Sequence, residues 1–276
     1  MRLLILASAN VIHARRWTVW FAGRGHQVCL ATLEPYGADV SAWEYVLPSR
    51  SPVDALRYPL AAPALGRLVK DYSPDLVNAH FVPGYGFLAA LAGSARPLAI
   101  TAWGSDVLTG PRKSFLHRWR ARFALSRAAL VTCDAKVLAE ALLDLGVPEE
   151  KILSVPMGID PQLFHPPQGG RPDFEAAPGS RGRPVQIVST RRLEKVYDLL
   201  TLVRAARVLK REGWNFNLAV IGDGSQRFRL ELEAGQEGLA DNLVFHGEIL
   251  PDRLAALLAA SDLYVSTSLS DSTSVS

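Results

Sequence analysis

Cysteine is nearly absent from this chain of 276 residues. Its two cysteines, Cys29 and Cys133, both sit in apolar, strand-like runs, which argues against a disulfide scaffold and for a reducing compartment. No apolar run approaches the ~18–20 residues that cross a bilayer. The apolar opening Met1–Ala9 is short, and Asn10, His13, Arg15 and Arg16 follow at once, so it reads as a buried strand rather than a signal peptide. Neither sign of charge is in large excess. Thirty basic residues against 27 acidic ones leave a net charge of +3, too small to imply a nucleic-acid partner. Several chemistries are missing as well. There is no Asp-x-Asp pair for a metal-bound nucleotide diphosphate, no His/Cys cluster with zinc spacing and no Gly-x-Ser-x-Gly nucleophile elbow. The Walker phosphate loop is absent too.

What is present is a globular composition, 49% apolar and 21% charged. Strand-like and helix-like segments alternate. Strands are expected at Arg2–Ala7, Gln27–Leu33, Asp75–Ala79, Leu98–Ala102, Leu130–Cys133 and Ile152–Val155. Helices are expected at His13–Arg24, Gly84–Leu91, Ser114–Ser126 and Lys136–Leu145. Pro166–Pro184, crowded with proline and glycine, reads as a linker or surface loop. The alternation then restarts, with strands at Val185–Ser189, Phe216–Ile221, Leu243–Phe245 and Leu263–Ser266 and helices at Asp198–Glu212, Gln226–Glu237 and Pro251–Ala260. Buried strands alternating with helices predict an α/β protein of two doubly wound, Rossmann-like domains, 1–165 and 185–276, with the cleft between them as the default ligand site. The second domain shows fewer strand signals and reads as incomplete.

Six stretches carry candidate chemistry. Arg191, Arg192 and Lys195 follow a strand and suit an anion at a helix N-terminus; the alternative is a solvated charged turn. Gly222-Asp223-Gly224 lets backbone approach a ligand, or serves only the turn. Trp103-Gly104-Ser105-Asp106 offers a stacking face, a hydroxyl and a carboxylate, or is an ordinary turn over a core tryptophan. Asn10 and His13 follow the first strand, where a polar loop faces the crevice of a parallel sheet. His80 follows another strand, and either histidine is a donor or a structural residue. The hydroxyl-rich end, with Ser268 and Asp271, is either a frayed tail or a ligand-binding loop.

Taken in order, these motifs resemble a family 4 glycosyltransferase of the GT-B fold. The resemblance spans nearly the whole chain: Arg24-Gly-His-Gln-Val28, Asn78-Ala-His-Phe81, Trp103-Gly-Ser-Asp-Val107, Val155-Pro-Met-Gly-Ile-Asp160, Arg191–Asp198, Ile221-Gly-Asp-Gly224 and Val244-Phe-His-Gly247. It implies transfer of a sugar from a nucleotide diphosphate sugar to a lipid-linked or saccharide acceptor, with retention and with no metal or cofactor. Arg191 or Arg192, with Lys195, would stabilise the departing diphosphate, and Asp271 would stand in the catalytic donor loop. Gly222, Asp223, Gly224, Phe245, His246, Gly247 and Ser268 would border the donor. Asn10, His13, His80 and Trp103–Asp106 would border the acceptor. The chain departs from the family in three ways. Trp103 stands where many members have His. Asp271 takes the place of the first glutamate of an E-x7-E pair. The second glutamate would fall beyond Ser276. The resemblance therefore implies a chain cut inside its donor site, with little transfer of its own. Rival readings are a non-catalytic nucleotide-binding remnant, a GT-B nucleotide-sugar epimerase and a two-domain small-molecule binding protein. A cytoplasmic location is expected. Between Val107 and Cys133 there is no acidic residue, and the basic segment Arg112–Arg127, with Phe115, Leu116, Trp119 and Phe123, suits an anionic membrane face or a solvated surface over a core stripe.

Overall fold

The computed structural model describes residues 1–34, 43–49, 51, 54–93, 95–167 and 182–276. These divide into two compact units, Met1–Met157 and Gly158–Ser276. The division falls inside the Val155–Asp160 motif rather than at residue 165. Residues 168–181 of the expected linker lie outside the described residues.

The first unit runs β1 (Arg2–Leu6), α1 (Ile12–Gly23), β2 (Gln27–Thr32), β3 (Trp43–Val46), α2 (Asp54–Tyr72) and β4 (Leu76–His80). After a π-helical turn at Phe81–Gly86 come α3 (Phe87–Ala92), β5 (Leu98–Thr101), α4 (Ser105–Leu108), α5 (Phe115–Ser126), β6 (Leu130–Cys133), α6 (Lys136–Asp144) and β7 (Ile152–Ser154). The second unit runs β8 (Val185–Ser189), α7 (Leu199–Arg211), β9 (Phe216–Ile221), α8 (Arg227–Gln236), β10 (Leu243–Gly247), α9 (Pro251–Ala260) and β11 (Leu263–Tyr264).

Both sheets are parallel. Their orders are β3-β2-β1-β4-β5-β6-β7 and β10-β9-β8-β11. The second repeats the opening order of the first, so each reverses direction once, between β1 and β4 and between β8 and β11. Ligands of open parallel sheets bind beyond the strand C-termini at such reversals. The strands read as near-continuous apolar runs because helices cover both faces: Leu3, Leu4, Ile5 and Leu6 are all buried.

Three elements lie where the sequence pattern places none: β3, α2 and the single-turn α4. Pro59 and Pro63 sit inside α2, and an interior proline costs a helix about 3 kcal/mol. Ala61, Ala64, Leu65 and Leu68 nevertheless form a buried stripe at helical spacing, packed in the same core as α3. Tertiary burial overrides local propensity there. The helix expected from Gly84 also starts differently. The chain first makes the π-helical turn, entered through Phe81 at φ +76°.

Candidate active site

In the first unit the candidate residues converge at the C-terminal ends of β1, β4 and β5. His80 is the last residue of β4 and His13 lies in the first turn of α1. Trp103 follows β5. The His13 ring stacks on Trp103 at 5.2 Å, His80 lies 5.4 Å from Trp103, and Trp17 meets His80 edge-on at 5.2 Å. Asn10 and Ser105 are exposed.

His80 is buried beneath the stack. The Asn78 amide nitrogen donates to Thr101 Oγ1 at 3.2 Å, which leaves Asn78 Oδ1 to accept from His80 Nε2 at 2.5 Å. Nε2 therefore carries the proton and Nδ1 is the bare acceptor, buried and unpartnered among the described residues. Burial pulls the His80 imidazole down to about 3, so it is neutral at physiological pH. His13 is also pushed below its ordinary value, by burial first and by Arg16 second. The site thus presents neutral imidazoles and an indole face.

Asp106 has a different task. It is 1% exposed. Its Oδ2 accepts from the Val82 N–H at 3.0 Å, and Oδ1 accepts from the Trp103 and Gly104 N–H groups at 3.0 and 2.9 Å. One carboxylate thereby joins the turn after β4 to the turn after β5. Burial raises its carboxyl above the ordinary range, against the pull of those N–H donors. Gly104 sits at φ +119°, a conformation that favours glycine.

Sequence reasoning missed a neighbouring cluster. Tyr85, on the π-helical turn, donates to Glu34 at 2.7 Å and accepts from the Leu33 N–H at 2.9 Å, while Arg57 of α2 pairs with Glu34 at 2.7 Å. A glutamate directly after a strand was its only signal.

In the second unit, the loop after β8 carries Arg191, Arg192 and Lys195, and the loop after β11 carries Ser268 and Asp271. Arg191 forms an ion pair with Asp271 and donates through Nε to Ser266 Oγ at 3.1 Å. Ser266 in turn bonds Ser268 at 2.9 Å. Arg192 and Lys195 are exposed. Glu194, between them, accepts from the Ser225 hydroxyl at 2.7 Å and its N–H at 3.0 Å, and these bonds hold its carboxyl below the usual range. Gly222 and Gly224 face protein backbone. A Cβ on Gly222 would lie 2.6 Å from the Arg191 carbonyl oxygen, and one on Gly224 would lie 2.6 Å from that of Leu193. Asp223 accepts from the Gly224 N–H and from Arg227 at 3.0 Å. Gly247 accepts from the Gly222 N–H at 2.8 Å, and Phe245 packs on the core while His246 is half-buried. Among the described residues, no group of three or more His, Cys, Asp or Glu is arranged to hold a metal ion. None of their helices is long and apolar enough to cross a membrane.

Comparison with known proteins gives the chain its family. Residues 2–135 match the family described as Glycosyl transferase 4-like, and residues 170–276 match Glycosyl transferases group 1. The amylovoran biosynthesis glycosyltransferase AmsK of Erwinia amylovora is 23% identical over 72% of this chain and 47% of its own length. The chain spans about half the length of the curated relatives it matches. Among solved structures, sucrose-phosphate synthase from Thermosynechococcus elongatus superposes with a TM-score of 0.75 at 17% identity, over 100% of this chain and 77% of that one. Anabaena Alr3699/HepE, solved in complex with UDP-glucose, gives 0.72 at 17% identity, over 97% and 74%. These likenesses share the fold of two doubly wound units. The chain belongs to the family 4-type, group 1 glycosyltransferases of the GT-B fold.

Proposed function

We propose that this protein serves transfer of a sugar from a nucleotide diphosphate sugar to a saccharide or lipid-linked acceptor. The group 1 half holds the donor and the 4-like half holds the acceptor. One observation carries the reading: two exposed cations, Arg192 and Lys195, stand at the C-terminal edge of β8, where the second sheet reverses direction. Negative charge grows on the diphosphate as the glycosidic bond breaks. Fixed cations at that edge stabilise it more in the transition state than in the ground state. In this reading the cations serve without a metal ion and the anomeric configuration is retained, as the family resemblance implies. The neutral His13–Trp103–His80 stack supplies an apolar, hydrogen-bonding floor for the acceptor sugar. The UDP-glucose complex of Alr3699/HepE makes UDP the first probe.

Calorimetric titration of the 276-residue chain with UDP in the presence of EDTA tests the donor half. Binding is expected, and Arg192→Ala or Lys195→Ala should weaken it about tenfold or more, the worth of one charge-assisted hydrogen bond. No binding, or binding indifferent to both substitutions, would remove the reading.

We also infer that α5 rests on an anionic lipid surface. Phe115, Leu116 and Trp119 are 85%, 56% and 46% exposed beside exposed Arg112, Lys113 and Arg118. Phe115, Trp119 and Phe123 line a cavity of about 530 Å³ with Arg118 and Arg122. Apolar side chains flanked by cations suit the headgroup boundary. Co-sedimentation with phosphatidylglycerol vesicles should exceed that with phosphatidylcholine vesicles, and Phe115→Ser with Trp119→Ser should abolish the difference. Equal recovery with both vesicle types at low salt would count against it.

A further inference from the structure

The two loops beside the reversal of the second sheet are fastened to each other. Thr267 Oγ1 donates to the Tyr197 and Asp198 carbonyls, both at 3.0 Å, and the Leu269 N–H donates to the Val196 carbonyl at 2.9 Å. Arg191 completes the clasp through Ser266 and Asp271. Its guanidinium also lies 5.7 Å from the centre of the Tyr197 ring. The Arg191 and Asp271 side chains are 14% and 25% exposed, so the pair is substantially shielded from water and from salt.

We propose that Arg191 and Asp271 are positioning residues: their ion pair locks the loop after β11 onto the loop after β8, which leaves Arg192 and Lys195 as the cations presented to an anionic ligand. Arg191 is already neutralised. A diphosphate seated on it would have to displace Asp271 and leave a shielded carboxylate without its partner, which is costly. Arg192, the next residue, is exposed and forms no ion pair with a described residue, although the Glu194 carboxylate feels its charge. The two arginines adjacent in sequence therefore divide the work, one holding the loop and one facing the ligand. The clasp stands on geometry alone. Its consequence for the diphosphate rests on the donor-site reading above.

Amide exchange on the whole chain without ligand decides the clasp, because the Leu269 N–H is protected only while the loops are joined. Arg191→Gln and Asp271→Asn should each speed exchange at Leu269 by about tenfold, and R191Q/D271N should be no faster than the faster single variant. Arg192→Ala should leave it unchanged. Additive effects, or no change in either single variant, would overturn the proposal. Titration with UDP then separates the clasp from the donor site. Arg192→Ala should weaken binding more than Arg191→Gln does. If Arg191→Gln is the more damaging while Leu269 stays protected, Arg191 touches the ligand and the proposal fails. If the unsubstituted chain binds no UDP, the donor-site reading falls and the exchange cycle still decides the clasp.

Discussion

Replacing Asp106 with alanine should cost the first unit about 3–6 kcal/mol, enough to remove much of the ~5–15 kcal/mol that holds a typical domain folded. The size follows from the number of donors left behind. The carboxylate is the acceptor for the N–H groups of Val82, Trp103 and Gly104. Val82 and Gly104 are buried and Trp103 is half-buried, so water cannot fully replace what is lost. Each stranded donor costs about 1–3 kcal/mol, and the three are neighbours, so their penalties add incompletely. Removing a buried charge offsets part of this, which sets the range below the simple sum. Asp106→Asn should fall in between. Its single oxygen can serve Trp103 and Gly104, but its NH2 then faces the Val82 donor. Urea unfolding followed by tryptophan fluorescence measures both variants. A loss under about 1 kcal/mol for Asp106→Ala would show that the two turns do not depend on the carboxylate.

This role for Asp106 was not legible in the sequence, although the residue was. A Gly-Ser-Asp turn after a strand advertises a hydroxyl and a carboxylate. Nothing local says that the carboxylate turns inward to collect N–H groups from a turn 24 residues earlier. The same limit applies elsewhere. Strands buried on both faces, such as β1 and β8, announce themselves as apolar runs, so the order of elements and both doubly wound units could be read directly. β3 is short and offers no comparable run. α2 contains two prolines that argue locally against a helix, and only its packing in the core with α3 outweighs them. The candidate site was legible as a set of loops at strand ends, because parallel sheets place their crevice there. Which member of a loop faces the ligand and which faces the protein was not. Arg191 and Arg192 are identical in type and adjacent, and only the partner at Asp271 tells them apart.

The glycines of the second unit give the sharpest contrast in expected outcome. Gly222→Ala should destabilise that unit by about 2–4 kcal/mol and abolish UDP binding with it. Gly222 sits at φ +123°, where an L side chain is strained by about 1–3 kcal/mol. Its new Cβ would also lie 2.6 Å from the Arg191 carbonyl oxygen and 3.2 Å from its carbon. Those are backbone atoms and cannot rotate aside as a flexible side chain would, so the whole loop after β8 must shift. That loop is also held by the Leu193 N–H on the Asp223 carbonyl at 3.0 Å and by the Gln226 N–H on the Leu193 carbonyl at 2.8 Å. A shift there therefore moves Arg192 and Lys195 together. Gly235 offers the control. It lies inside α8, has no positive φ, and nothing comes within 4 Å of its built Cβ. Gly235→Ala should instead stabilise the unit by about 0.5–1 kcal/mol through helix propensity. Thermal unfolding of both variants, with UDP titration of each, compares the same methyl group at two places. Destabilisation of equal size at both would mean that close backbone approach is not what requires glycine at 222.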